Sequence, residues 1–237
     1  MNKPKLFARI SLFAAIFVLS SCFKLPPTND SNTSQTPDRT TPTGDKTTSP
    51  SNQTIISSGA QFSQALNDYN AKNYEKAVTG FQDIVKADAQ NSMAHYYLGK
   101  SFQALRKEDE AIPAFKEALR IKPDYPEANF GLGSIYYGRK NYETSLPFFE
   151  RAAKTNYKST EMLMALGENQ RMLKQYDRAI VQYGKIIGFE PNNANAYYGL
   201  GLTYIGLNNK IAAGQQLRKL EPLDKELAKK LSDQMGI

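Results

Sequence analysis

Catalysis needs reactive side chains that converge, and this chain offers few of them. Cys22 is its only cysteine and His95 its only histidine. A lone cysteine excludes an internal disulfide. A single histidine with no cysteine beside it, and no Asp/Glu pair at ligand spacing, excludes the common Cys/His metal sites. Serines are abundant, but a Ser-His-Asp triad would have to recruit His95, and no strand-to-helix nucleophile elbow surrounds any of them. The glycines recur at long regular intervals and form no phosphate-cradling loop. These residues predict no enzyme, no cofactor and no metal. His95 reads as a packing or surface residue near the start of a helix.

The one thiol does have a chemical setting. Lys3, Lys5 and Arg9 precede an apolar run from Ile10 to Leu19. That run is too short to span a bilayer as a mature helix and has the form of a secretory signal. Leu19-Ser20-Ser21-Cys22 follows directly. Small residues before the thiol let a peptidase reach the backbone, and the thiol is a nucleophile that can take up a diacylglyceryl group. The segment resembles a bacterial lipobox. The resemblance implies a signal peptide over 1–21, cleavage before Cys22, and a lipidated N-terminal cysteine on the membrane. Several acyl chains, palmitate among them, hold where a single chain does not. An ordinary signal peptide, or an uncleaved anchor ending near a cysteine, is the alternative. Phe23, where Asp is absent, resembles the pattern for outer-membrane sorting, which favours the outer over the inner membrane, facing the periplasm or cell exterior.

Residues 22–57 are rich in Thr, Ser, Pro, Asn and Asp with almost nothing apolar to bury, which predicts a disordered tether. The formal net charge is +7, but three of the cations are those of the leader. Over residues 58–227, 22 basic and 19 acidic side chains are interspersed with no basic stripe, which excludes a nucleic-acid binder.

The elements that position the remaining residues follow a period of 34. Gly99, Gly133, Gly167 and Gly201 are in phase, as are Ala77, Ala111, Ser145, Ala179 and Ala213. Pro123 and Pro191 share a phase, and so do Pro113 and Pro147. Within Ala94 to Pro123, apolar and small residues at Leu98, Gly99, Phe102, Ala111, Phe115 and Ala118 make two amphipathic runs around a polar break from Arg106 to Glu110. Small residues at Gly99 and Ala111 suit antiparallel helices whose backbones come close. Pro113 and Pro147 are expected in the first turn or so of a second helix, where N–H groups lack acceptors.

This pattern resembles the tetratricopeptide repeat family, whose helix-turn-helix unit is 34 residues long. It is met most closely at Tyr197, Leu200, Gly201, Tyr204 and Ala213, and at Leu98, Gly99, Phe102, Ala111, Phe115, Ala118 and Pro123. The resemblance implies an all-α, right-handed superhelical solenoid of about five repeats over 58–227 (58–91, 92–125, 126–159, 160–193 and 194–227). The first repeat is the most divergent. The second helix of the fifth (Ala212 to Leu220) is short and broken by Gly214. A capping helix, Leu223 to Met235, lies within 223–237.

In this family the first helices line a concave groove. Carried onto this sequence, the groove residues are Phe62, Tyr69, Tyr96, Lys100, Phe130, Tyr137, Met164, Glu168, Arg171 and Tyr198, with Leu66, Met93, Gln103, Glu127, Ser134, Glu161, Asn195, Leu202 and Ile205 beside them. Phe62, Tyr96, Phe130 and Tyr198 form an aromatic ladder that either anchors a protein segment or wedges between helices as core. Lys and Asn are not where a carboxylate clamp needs them. The resemblance implies a membrane-anchored scaffold that binds an envelope protein or peptide, in envelope or pilus assembly. An accessory solute-binding lipoprotein for a transporter, and a surface-exposed protein that contacts a host or neighbouring cell, remain alternatives.

Overall fold

The structure, a computed structural model, describes residues 50–236. The signal peptide, Cys22 and most of the expected tether lie outside the described residues. The described chain forms α1 (Pro50–Asn70), α2 (Tyr74–Ala87), α3 (Ser92–Ala104), α4 (Glu108–Ile121), α5 (Pro126–Gly138), α6 (Tyr142–Thr155), α7 (Thr160–Met172), α8 (Tyr176–Phe189), α9 (Ala194–Gly206), α10 (Lys210–Leu220) and α11 (Lys225–Met235). First helices begin at 92, 126, 160 and 194, and second helices at 74, 108, 142, 176 and 210, so the 34-residue period is a period of helix starts. Each helix packs on its hairpin partner and on the next helix in the chain, and α11 packs on α9 and α10. The fold is an all-α solenoid of five helix-turn-helix units closed by a final helix.

The stack curves for a reason visible in its contacts. Successive first helices touch (α1 with α3, α3 with α5, α5 with α7, α7 with α9), whereas no two second helices come as near among the described residues. Only a long side chain spans that outer gap: Arg178 of α8 reaches Glu150 of α6 at 3.8 Å. The first helices therefore form the inner layer.

The spacing of that layer is set by one ring in each of the first four units, the fifth carrying Leu217 at that position. Phe81, Phe115, Phe149 and Tyr183 recur every 34 residues on the second helices and are essentially solvent-free. Phe115 lies between Gly99 of its own first helix and Gly131 of the next. A β-carbon on Gly99 would stand 2.9 Å from the ring, and one on Gly131 2.7 Å from it. Tyr183 sits likewise between Gly167 and Gly199. Any side chain at these glycines would occupy the space the ring fills.

Each hairpin turn is closed by a repeated backbone motif. Lys72, Arg106, Lys140, Lys174 and Asn208 all have positive φ, between 57° and 63°. After each of them the next N–H donates to a carbonyl five residues back, as Lys107 does to Phe102 and Asn141 to Tyr136 at 2.9 Å each. This is the Schellman arrangement, which satisfies carbonyls at the helix end but asks for a left-handed residue, usually glycine. Four of the five positions carry Lys or Arg instead. Asn91, Asn141, Ser159, Asn193 and Asn209 then cap the helices that follow them, each accepting a backbone N–H.

Four expectations need correction. Helix α1 starts at Pro50, inside the 22–57 segment read as tether. Once a helix is nucleated, further turns cost little even in a polar sequence, and proline suits a first position because its missing N–H has no acceptor there. Pro113 and Pro147 are the sixth residues of α4 and α6, beyond the first turn. Each deletes a bond to the carbonyl four residues earlier, and both prolines are exposed, so water takes that acceptor. Helix α10 runs unbroken from Lys210 through Gly214. The last helix starts at Lys225 because the Asp224 carboxylate accepts from the Glu226 and Leu227 N–H groups, fixing its N-terminus.

Two substitutions test this account. Lys140→Gly relieves the left-handed strain of an exposed residue and, after the entropy glycine adds to the unfolded chain, should stabilise by about 0.5–1 kcal/mol, seen as a higher melting temperature. Gly131→Leu should destabilise by about 1–3 kcal/mol through overpacking against Phe115. A melting temperature unchanged by Gly131→Leu would show that the ring does not set the helix spacing.

Candidate functional site

The inner layer exposes the side chains left over once the rings are seated. Along α1, α3 and α5, part of the expected groove is occupied by packing. Phe62 contacts the Phe81 ring edge-on at 5.5 Å, Tyr96 lies 6.0 Å from Phe115, and Phe130 lies 5.7 Å from Phe149. Each pair is 19 residues apart in sequence, so the ladder residue rests on the wedge ring of its own unit. Tyr69 packs on Tyr74 and Tyr97, at 5.6 and 5.7 Å. All four are half-buried. They serve as the inner wall of the core, with one edge left toward the groove. Lys100 is half-buried among them.

The space lies further along, on both sides of α7. A cavity of about 330 Å³ between α5 and α7 is lined by Ser134, Tyr137, Gly138, Phe149, Glu161, Met164, Ala165 and Glu168. A second, of about 360 Å³, between α7 and α9 is lined by Thr160, Glu161, Met164, Glu168, Asn193, Asn195 and Tyr198. Glu161, Met164 and Glu168 border both, because they share the face of α7 that divides them. Of the residues expected from sequence, Tyr137, Met164, Glu168 and Tyr198 converge here, together with Ser134, Glu161 and Asn195. Phe62, Tyr69, Tyr96, Lys100, Phe130 and Arg171 line neither cavity, and nor do Leu66, Met93, Gln103, Glu127, Leu202 and Ile205. Gly138, Phe149, Thr160, Ala165 and Asn193 were not anticipated: Phe149 belongs to a second helix, and Thr160 and Asn193 sit at helix N-termini.

The polar groups around α7 are coupled. The Tyr137 hydroxyl donates to Glu168 Oε2 at 3.1 Å. Burial first, and then the Glu168 carboxylate, push its pKa up to about 12. Tyr183 is the one wedge ring with a hydroxyl, and it is 0% exposed. Burial foremost, then Glu168, raise its pKa, while the nearby Arg171 guanidinium works against them. The Tyr183 hydroxyl and Arg171 Nε are both buried and neither makes a hydrogen bond of good geometry, although the Arg171 side chain is close enough to act on the Tyr183 phenol. His95 sits apart, its Nε2 3.2 Å from the Ala89 carbonyl. No group of three or more His, Cys, Asp or Glu among the described residues is arranged to hold a metal ion, and none of the described helices is long and apolar enough to cross a membrane.

The raised phenols make alkaline stability a readout of this packing. Tyr125 is also pushed up to about 12, by burial and then by Glu127, and burial raises Tyr69 and Tyr96 too. Folded pKa values above the unfolded value of about 10 mean that the folded chain keeps protons the unfolded chain releases. The stability from burying neutral phenols is therefore whole below about pH 10 and is lost as pH rises toward about 12. Absorbance at 295 nm should show a late-titrating group of tyrosines that moves to about pH 10 in denaturant. Uniform titration near 10 with helicity intact would contradict the packing described.

Comparisons with known proteins agree with this geometry. A tetratricopeptide repeat model matches residues 62–126, 98–159 and 130–188; a second repeat model matches 171–208, and a third 194–226. No curated protein sequence matches the chain. Among solved structures, YrrB, described as a TPR protein with an unusual peptide-binding site, superposes with a TM-score of 0.67 at 23% identity, covering 73% of this chain and 90% of that one. MamA superposes with a TM-score of 0.65 at 22% identity, covering 73% and 94%. PilW, described as a widely conserved type IV pilus biogenesis factor, superposes with a TM-score of 0.63 at 22% identity, covering 76% and 86%. At these identities the likeness is one of fold.

Proposed function

The chain belongs to the tetratricopeptide repeat family, and on that premise we propose that it is a membrane-anchored scaffold whose inner face holds a segment of an envelope protein. The observation that carries the reading is the pair of open clefts flanking α7, built from residues of three successive first helices. Their walls combine apolar area from Tyr137, Met164, Ala165 and Tyr198 with hydrogen-bonding groups from Ser134, Asn195 and Glu168. That mixture suits a peptide, whose side chains need pockets and whose backbone needs polar partners. Open clefts suit an extended segment better than a small solute, which favours a peptide over the transporter-accessory alternative. Structural likeness to a protein described by its peptide-binding site, and to one described as a pilus biogenesis factor, supports the same reading.

The anchor is proposed from sequence. Cys22 at the end of Leu19-Ser20-Ser21-Cys22 would carry the lipid, leaving the repeats outside the cytoplasmic membrane, with the outer membrane preferred. The segment between Cys22 and α1 would give the repeats reach from the membrane surface.

Two measurements test the two halves. Cys22→Ser should abolish incorporation of labelled palmitate and release the protein from the membrane fraction. Continued labelling or membrane retention would rule the lipid anchor out. A photo-crosslinking residue at Met164 or Tyr198 should capture a protein in cells that the same probe at Val181, exposed on α8, does not capture. Equal capture from both faces would remove the groove assignment.

A further inference from the structure

The two clefts have a charge character of their own. Glu161 and Glu168 line both, and no lysine, arginine or histidine lines either. The two carboxylates are seven residues apart on α7, so they lie two turns apart, about 10 Å, on one face of the helix. Neither has a cationic partner: among the described residues no ion pair involves Glu161 or Glu168, and the contact Glu168 makes is the hydrogen bond from Tyr137. Some carboxylates of this protein do have such a partner. Glu108 and Asp109 share Arg139, Glu117 has Arg120, and Glu226 has Lys230. The ridge between the clefts carries two carboxylates, with one cation nearby, Arg171, which acts on the same Tyr137 and Tyr183 phenols as Glu168 but lines neither cleft.

The apolar part is equally local. Tyr137, Phe149, Met164 and Ala165 give the α5–α7 cleft a largely hydrocarbon wall. The α7–α9 cleft is bordered by Thr160, Asn193, Asn195 and Tyr198, which offer hydrogen bonds. An occupant matching this order has an apolar side chain for the first cleft, a cation over the ridge, and polar backbone or side chains in the second.

From this arrangement we infer that the groove selects a basic peptide, one that seats an apolar side chain between α5 and α7 and sets a neighbouring lysine or arginine between Glu161 and Glu168. This rests on the groove reading above and narrows it to one partner chemistry. An acidic segment, or a free C-terminal carboxylate, would meet two carboxylates at the cleft edges and no lining cation, and be repelled. The clefts are open and Glu161 is exposed, so the attraction is that of solvent-screened pairs, two of them acting on one cation.

The test uses the full chain and an array of synthetic twelve-residue peptides. One position carries Lys, Gln or Glu, and a position two residues before it carries Phe, Leu or Ser, in otherwise varied sequences. Binding should concentrate on peptides with Lys after Phe or Leu, and should weaken at least tenfold for Gln and further for Glu. It should also weaken as salt rises from 50 to about 300 mM. Glu161→Gln and Glu168→Gln, which keep size and helix propensity, should each remove most of the Lys-over-Gln preference while helical content and melting temperature hold. Two results overturn the inference in distinguishable ways. If peptides bind and compete with one another, and Met164→Ala weakens them, but Lys, Gln and Glu peptides bind alike, the groove reading stands and the charge selection fails. If no peptide binds at millimolar concentration, both fail. If Glu168→Gln lowers helicity, Glu161→Gln, at an exposed position outside the Tyr137 hydrogen bond, decides the matter alone.

Discussion

One contact underlies the rest of this molecule: the buried aromatic ring that each of the first four outer helices seats against the inner layer. Phe115 illustrates it, with Gly99 on one side and Gly131 on the other, and no room for a β-carbon on either. A fully buried ring of this kind typically contributes several kcal/mol, and truncating it to alanine costs about 3–5 kcal/mol. The ion pairs between elements, such as Arg139 with Glu108, are solvent-screened and contribute little. The rings therefore decide how far apart the inner helices sit, and the charged pairs decorate a spacing already fixed. Because the ring enters from the outer layer, it holds the outer helices apart while the glycines let the inner ones approach.

Function follows from what that wedge leaves uncovered. Where the ladder residue is Phe62, Tyr96 or Phe130, its ring rests on the wedge and closes the inner wall. In the fourth unit the equivalent residue is Met164, slimmer and more adaptable, and clefts appear on both sides of it. The same unit has Tyr183 in place of phenylalanine, which brings a buried hydroxyl close to Glu168 and Arg171. A departure of two residues from the repeat pattern thus distinguishes one unit from its neighbours and concentrates polar groups there.

The architecture was legible in the sequence because it is a statement about phase. Gly99, Gly133, Gly167 and Gly201, and Ala77 through Ala213, mark helix crossings that recur at fixed intervals, and periodicity survives divergence at any one position. The left-handed turn residues were not legible. Lys72, Arg106, Lys140 and Lys174 are types that give no hint of positive φ, and the constraint on them is imposed by the carbonyls of the preceding helix end. Pro113 and Pro147 had the right period and the wrong depth, since phase alone does not say where a helix begins. For the site, sequence supplied the face and not the place on it. Tyr137, Met164, Glu168 and Tyr198 border space, while Phe62, Tyr69 and Tyr96 are taken up by their own neighbours, a difference that depends on which rings happen to touch.

The final helix has an effect on how such chains can associate. Leu231 of α11 occupies the hollow above Gly201, where a β-carbon would stand 2.6 Å from it. Lys225, Glu226, Lys229 and Lys230 on the same helix remain exposed. A stack of identical units is in principle open-ended, since the surface that receives one hairpin is ready for the next. Here that terminal surface is plugged by the chain itself and coated with hydrated charge, so another copy meets no unfilled hollow there. A further hairpin could pack on this face of α9 and α10 only after α11 is prised away.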